Sequence, residues 1–430
     1  MKYASTRGVA PAASLGEAIA AGLAPDGGLF VPESLPRFRI GDFDGCARLA
    51  DTATRLLAPF FAGDELGDSL AAMCRDAFDF PAPLAPLSTP QDFVLELFHG
   101  PTAAFKDFGA RFLAACMRRL RTPAARPLTI LVATSGDTGA AVGAAFAGAP
   151  GISVCILYPD GRVSPRQAHQ LGCFGGNVRA LRVSGSFDDC QALVKRALND
   201  AALQASIPLS SANSISLGRL LPQMGYYAHA ALTHWRACGE ELNFVVPTGN
   251  LGNALACVLA RATGLPIGRI VLATNANLTL HDFVGGADYA PRASVATLAN
   301  AMDVGAPSNF ERLRWLYPDP AQLRRAFTVD AVGDDAIRDT IRDRHARFHE
   351  VFCPHTATAV RTLEGLRQEG AFGAWAAVAT AHPAKFDTIV EPLTGSPIPV
   401  PPALAVLLAR PSSAEPMSPD YAELRSRLLE

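Results

Sequence analysis

Short apolar runs that end in loops of glycine, serine, threonine and asparagine, and are followed by helical repeats, recur through the middle of this chain. Residues 128–133 are such a run with β-branched members, ended by Thr134, Ser135, Gly136, Asp137, Thr138 and Gly139 and followed by a helical pattern over 140–148. Strand, loop and helix is the parse this predicts. The same parse fits 152–158, then 178–183 ahead of a helix starting near Ser186, then 242–246 ahead of a helix over 252–262. Further strands are expected at 269–273 and 374–380. Alternating strands and helices predict an α/β fold with mostly parallel sheets covered on both faces, and ligands gathered at the carboxyl ends of the strands. Two such groups, one per lobe, leave a cleft between them.

The flanks read differently. The first ninety or so residues carry helical patterns over 14–23 and 47–60, separated by Ala24, Pro25, Asp26, Gly27 and Gly28, and read as an N-terminal arm or cap. Pro81, Pro83 and Pro86 then break any regular element and mark a boundary. The expected division is an arm over 1–90, a smaller α/β lobe over 91–240, and a larger α/β lobe with a tail over 241–430. In that tail, residues 396–402 hold four prolines and predict an extended path before a last short helix. A length of 430 residues fits two or three cores, since single cores rarely grow past roughly 250 to 300 residues.

Composition narrows the class of ligand. A formal net charge of -2 supplies no field for nucleic acid or an acidic membrane, so an anionic ligand must be caught by a local site. Small metabolites fit better than polymers. The nine cysteines are scattered singly, with no metal-ligand spacing, and read as reduced core thiols of a cytoplasmic protein. The amino terminus lacks the apolar run of a signal peptide, and no stretch reaches the roughly 18 apolar residues of a membrane span.

Only four of the basic side chains are lysines, against thirty-four arginines. A guanidinium stays protonated and cannot form the Schiff base that a lysine amine makes with an aldehyde. Lys106, kept between Phe105 and Phe108 in the run His99, Gly100, Pro101, Thr102, Ala103, Ala104, Phe105, Lys106, Asp107, Phe108, is therefore a candidate for covalent chemistry. The plainer alternative is a lysine snorkelling at a helix start. Thr248, Gly249, Asn250, Leu251, Gly252 and Asn253 lie between a strand and an alanine-rich helix, where turned amides and a helix dipole suit a phosphate. Glycine-rich turns also occur for packing alone.

The loop of Ser135, Gly136, Asp137 and Thr138 suits a substrate carboxylate or phosphate, or else caps its own helix. Asn213, Ser214 and Arg219 precede a long helix, and Arg219 is suited to a doubly charged phosphate, unless it is a surface arginine. Thr380 follows a strand and could offer its hydroxyl to a ring nitrogen. His99, His355 and His382 read as structural, because sequence alone places no partner carboxylate beside them.

These residues resemble the threonine synthase family, pyridoxal-phosphate enzymes of the tryptophan-synthase-β-like fold (fold type II). The resemblance runs almost end to end, through Ser5 to Gly8, Asp26 to Pro32, Glu96 to Phe112, Ala133 to Gly139, Ser211 to Leu220, Pro247 to Asn253, Thr297 to Val304 and Thr380 to Phe386. The lysine motif is specific to this branch, whereas related elimination enzymes share close versions of the other two loops. The resemblance implies that Lys106 holds the cofactor as a Schiff base. It also implies that Gly249, Asn250, Leu251, Gly252 and Asn253 line the cofactor phosphate and that Thr380 faces the pyridine nitrogen. Ser135, Gly136, Asp137, Thr138, Asn213, Ser214 and Arg219 are the substrate-binding expectation.

Family members often carry aspartate where this chain has Asn253. The implied reaction converts O-phospho-L-homoserine and water into L-threonine and phosphate, the last step of threonine biosynthesis, in a monomer or homodimer. Rival readings are a relative that deaminates serine or threonine or makes cysteine, and a phosphometabolite-binding paralogue without turnover.

Overall fold

The expected strands form, and they divide between two sheets. In a computed structural model, which describes residues 1–122 and 124–430, one sheet runs in the order Glu415–Met417, Val178–Val183, Ile152–Pro159, Leu128–Ala133 and Leu209–Ser211, with every neighbour parallel. The other runs Thr328–Ala331, Ile267–Thr274, Leu242–Pro247, Ala374–Ala379, Asp92–Glu96 and Leu84–Pro86, parallel except for its last pair. Parallel strands need long crossovers and covered faces, which is why these segments read as continuous apolar runs. Their side chains still alternate. Leu242, Phe244 and Val246 enter the largest core while Val245 enters a second one with Val271, Trp375 and Ala377. Ile130 and Val132 likewise face the largest core while Leu131 and Ala133 face a third.

Three segments depart from expectation. The proline-rich stretch does not stay irregular: Leu84–Pro86 forms an antiparallel edge strand on Asp92–Glu96. An edge is where proline is tolerated, because the missing N–H faces outward. The tail is more structured than an extended path and one helix, since it contains the helices Pro402–Leu408 and Tyr421–Leu429 with a strand, Glu415–Met417, between them. Finally, the sheets do not respect the divisions at 91 and 241. Asp92–Glu96 joins the sheet built from later strands, and Glu415–Met417 joins the sheet of 128–211. Pairings across such distances leave no local pattern in sequence.

The first ninety residues carry helices where the patterns place them, joined by long irregular stretches. Leu15–Ala21 starts on a capping box in which Ser14 and Glu17 satisfy each other's backbone amides. Leu49–Leu57 follows, and its buried face packs into the largest core beside Tyr227, Ala228 and Ala231. A short antiparallel pair, Tyr3–Ser5 with Phe30–Pro32, closes the arm. Tyr3 is fully buried and donates its hydroxyl to the Phe60 carbonyl at 2.7 Å.

Asp92–Glu96 matters most for the site, because the chain runs directly from it to Lys106. Its first residue is clamped. Arg367 donates to Asp92 Oδ1 from Nε at 2.8 Å and from Nη2 at 2.6 Å, and also donates to the carbonyls of Ala371 and Gly373. Asp92 is buried, so removing the arginine leaves an uncompensated charge in a poorly solvated place. Arg367→Ala is expected to lower unfolding free energy by about 3 to 5 kcal/mol, read by urea unfolding at neutral pH. A loss under about 1 kcal/mol would mean that the pair behaves as an exposed one.

Candidate active site

Every loop singled out in the sequence follows the carboxyl end of a parallel strand, and all of them line one cavity. Its walls include Lys106, Ser135, Asp137, Thr138, Asn213, Ser214, Arg219, Gly249 through Asn253 and Thr380. Gly136 is the one expected residue absent from that wall. It holds φ +128°, and a Cβ there would lie 2.6 Å from Gln167 Nε2, so it serves the turn rather than a ligand.

Lys106 is the first residue of the helix Lys106–Leu120. Its loop is stitched to the strand end beside it: Phe105 N–H donates to Thr380 O at 2.8 Å and His382 N–H to Ala103 O at 3.0 Å. Ala103 holds φ +55°, a strained state for a residue with a Cβ. Thr102 bonds Asp107 through both its amide and hydroxyl, at 2.8 and 2.7 Å. The lysine ammonium sits 5.3 Å from the Phe105 ring centroid and meets no hydrogen-bond acceptor among the described residues. Burial, followed by the nearby Arg219 and Lys385 charges, outweighs the attraction of Asp137 and brings its pKa down to about 8.

Lys385, which the sequence reading left without a role, lies beneath this loop. It is fully buried, donates to Thr102 O at 2.7 Å and pairs with Asp137 Oδ1 at 2.9 Å. Gln167 Nε2 donates to the same oxygen at 2.9 Å. Burial alone would raise the Asp137 pKa, but Lys385, Lys106 and His355 together hold it well below the usual carboxylate range. The expectation that Asp137 binds substrate meets a different arrangement, in which its carboxylate is engaged by protein donors. A carboxylate would also repel an anionic substrate. Two of the chain's four lysines thus end in one site, and only the scarcity of lysine could have signalled the second.

The loop after Leu242–Pro247 turns sharply into the helix Gly252–Ala262. Leu251 is buried at φ +62°, and at Gly249 a Cβ would come within 2.7 Å of Met302 Cα. The backbone N–H groups of Gly249 through Asn253 meet no protein acceptor among the described residues, and they gather at a helix N-terminus. Asn250 does not point its side chain at a ligand. Its Nδ2 donates to Ser214 Oγ at 2.6 Å and its Oδ1 accepts from Ser308 N at 2.5 Å, which ties three loops together. Asn253 keeps a buried Nδ2 with no partner.

Arg219 is 2% exposed and has no carboxylate partner among the described residues. One guanidinium nitrogen, Nη1, donates to Ala212 O at 2.6 Å, whereas Nε is unpartnered. Burial lowers its pKa to about 10, so it still carries its charge at neutral pH. It is therefore not a surface arginine. A buried cation without a counter-ion is costly unless an anion joins it. Asn213 Oδ1 is likewise buried and unpartnered.

Asn300 and Asp303, given no role from sequence though they lie in the segment Thr297 to Val304, also line the cavity, as does His355, which sequence reads as structural. Asp303 accepts from Thr297 and Asn275, and burial pushes its pKa up to about 6. His355 Nε2 accepts from Ala301 N at 3.1 Å, and burial brings its pKa down to about 4, so it is a neutral ring. His99 and His382 lie outside the cavity wall. His99 pairs with Glu96 at 2.7 Å and His382 Nδ1 accepts from Ala384 N.

An amine, a nest of free amides at a helix N-terminus and an unpaired guanidinium around one cavity suit a phosphorylated aldehyde cofactor beside an anionic substrate. Pyridoxal phosphate fits the residues present: among the described residues the Gly249 through Asn253 amides meet no protein acceptor, and Asn253 Nδ2 and Arg219 Nε are buried donors without acceptors. No helix among the described residues is long and apolar enough to cross a membrane.

Comparison with known proteins agrees. The chain matches the family models described as pyridoxal-phosphate dependent enzyme over residues 83–384, threonine synthase N terminus over 2–78 and threonine synthase, C-terminal over 356–427. It is 40% identical to threonine synthase of Serratia marcescens, with 97% of this chain and 96% of that protein aligned. The crystal structure of threonine synthase from Escherichia coli superposes with a TM-score of 0.90 at 38% identity, covering 100% of this chain and 99% of that one. A pyridoxal-phosphate-bound threonine synthase from Brucella melitensis gives a TM-score of 0.90 at 35% identity, covering 100% and 99% of the two chains. With its cavity built from the loops that carry the resemblance, the chain belongs to the threonine synthase family of pyridoxal-phosphate-dependent enzymes.

Proposed function

We propose that the chain converts O-phospho-L-homoserine and water into L-threonine and inorganic phosphate. The observation that carries this reading is Arg219, a buried guanidinium with no counter-ion among the described residues, lining the cavity that holds Lys106 and a separate amide nest. One anion site serves the cofactor phosphate. The second calls for a substrate that is itself strongly anionic, which favours a phosphorylated amino acid over serine or threonine.

Pyridoxal phosphate, when bound, supplies an electron sink for carbanions formed by loss of protons from the substrate carbons. In this reading the amides of Gly249 through Asn253 hold its phosphate, the Thr380 hydroxyl faces its ring nitrogen and the Lys106 amine holds its aldehyde carbon. Once displaced by the substrate amine, Lys106 Nζ is the base that takes the α-proton. A pKa of about 8 keeps a usable neutral fraction near neutral pH without making the amine a poor base. Arg219, with Ser135, Thr138, Asn213 and Ser214 around it, binds the substrate's carboxylate and phosphate and steadies the phosphate as it leaves. Water adds at the β-carbon after phosphate has gone. His355 is neutral and accepts from a backbone amide, so it is a support rather than a proton carrier. Each sheet reads as a lobe and the first ninety residues as an arm, with the cavity where the loops of both sheets meet.

Purified, cofactor-loaded protein given O-phospho-L-homoserine is expected to release threonine and phosphate in equal amounts. Keto acid from serine or threonine, with no phosphate from O-phospho-L-homoserine, would move the chain to the deaminating relatives. Lys106→Ala is expected to abolish turnover, and sustained activity in that variant would sink the role given to the lysine. Arg219→Leu is expected to raise KM for O-phospho-L-homoserine by about 10- to 100-fold, since a hydrogen bond to a charged group is worth about 1.5 to 3 kcal/mol. An unchanged KM, with stability also unchanged, would remove Arg219 from substrate binding.

A further inference from the structure

Asn253 is the second residue of the helix Gly252–Ala262 and is almost fully buried where it lines the cavity. Its carboxamide is divided between two environments. On the protein side, Oδ1 lies 2.6 Å from the hydroxyl of Tyr226 and 2.7 Å from the hydroxyl of Tyr227. On the other side, Nδ2 is buried and has no partner among the described residues. The two tyrosines are fixed by packing: their rings lie 4.8 Å apart, Tyr226 meets Phe108 at 5.2 Å and Tyr227 meets Phe244 edge-on at 5.1 Å. Burial raises both phenol pKa values well above the ordinary one, so both hydroxyls remain protonated donors.

The orientation of the amide follows from proton counting. Each tyrosine has one proton to donate. Tyr226 has a second acceptor within reach, Gln223 Oε1 at 3.0 Å, and Gln223 is held by its own Nε2 donating to Arg219 O at 2.8 Å. Tyr227 has no acceptor but Asn253 among the described residues. Turning the carboxamide over would set Nδ2 against Tyr227 and leave that buried phenol proton unsatisfied. With Oδ1 inward, both tyrosine protons are satisfied and one amide donor of a cavity-lining residue is left free.

We propose that Tyr226 and Tyr227 are positioning residues that lock the Asn253 carboxamide with Nδ2 turned into the cavity as a side-chain donor to the cofactor's phosphoryl group. The inference rests on the reading that this nest holds the cofactor phosphate. It explains why an amide suits this chain at a position where a carboxylate has the same shape. An aspartate here would accept from both tyrosines equally well, but it would turn an acceptor oxygen towards the phosphate in place of a donor. The tyrosines then act through Asn253 and touch neither substrate nor cofactor.

The test compares two aldehydes that differ only in the phosphate. Cofactor-stripped full-length protein is titrated with pyridoxal phosphate and with pyridoxal, following the change in visible absorbance as each binds. The readout is the ratio of the two affinities, which cancels effects on Lys106 or on the fold. Asn253→Asp is expected to lower that ratio by about 10-fold or more, the scale of one lost hydrogen bond to a charged group. Tyr226→Phe/Tyr227→Phe is expected to lower it in the same direction by a smaller factor, while pyridoxal binding stays close to wild type. A ratio unchanged in both variants would overturn the proposal, as would equal losses for the two aldehydes. If the wild-type ratio itself is near one, the nest does not hold a phosphate and the underlying reading fails with it. A wild type that strongly prefers pyridoxal phosphate but does not turn over O-phospho-L-homoserine would instead fail only the proposed reaction.

Discussion

The buried pair of Lys385 and Asp137 is the interaction on which the rest of the site depends. Its partners come from the loops at two different sheets, and its third contact, Lys385 with Thr102 O, reaches the loop that presents Lys106. Both charges have lost nearly all of their water. Such a pair is not a source of net stability, because desolvation takes back most of what the attraction gives. Its geometry is what counts. Gln167 supplies a second donor to Asp137, and Ser164 and Arg166 bond the backbone carbonyls of Lys385 and Ala384. The segment Thr380 to Lys385 is thus held against the other sheet while its other edge is stitched to the chain before Lys106.

The electrostatic consequence reaches the Lys106 amine. Lys106 lies among Asp137, Arg219 and Lys385 in a poorly solvated pocket. An unpaired aspartate there would attract the Lys106 proton and make the amine a persistent ammonium. Lys385 takes up that carboxylate instead and adds a positive charge nearby. The cavity keeps a lysine that can lose its proton, next to an arginine that cannot, and these are the two states that a base and an anion clamp require.

Much of this was legible in the sequence, for identifiable reasons. Strand ends marked by Gly-, Ser- and Thr-rich loops predict where a parallel sheet gathers its ligands, and Thr134, Ser135, Asp137, Thr138, Asn213, Ser214, Arg219, Gly249 through Asn253 and Thr380 do line one cavity. The shortage of lysine drew notice to Lys106. What escaped depends on contacts between distant segments. Nothing local to Asp137 says that Lys385, far along the chain, takes its carboxylate. Tyr226 and Tyr227 look like ordinary core residues of the helix Met224–Cys238 until Asn253 is placed against them. Proline made 84–86 look like a break, though an edge strand tolerates it, and no pattern at 415–417 announces a partner at 181–183.

If Lys385 keeps Asp137 away from Lys106, removing its charge must move the pH dependence of kcat, and Lys385→Met is the variant in which to measure it. On the proposed reaction Lys106 must be neutral to take the α-proton, so kcat is expected to rise with pH through the lysine's pKa and level off above it. In wild-type enzyme that rise is expected near 8, where burial brings the Lys106 pKa. With the Lys385 charge removed, Asp137 is left to Lys106, the ammonium is stabilised and the rise moves to higher pH. A profile that keeps its midpoint, with only a lower plateau or a less stable protein, would contradict the claim and reduce Lys385 to a structural strut.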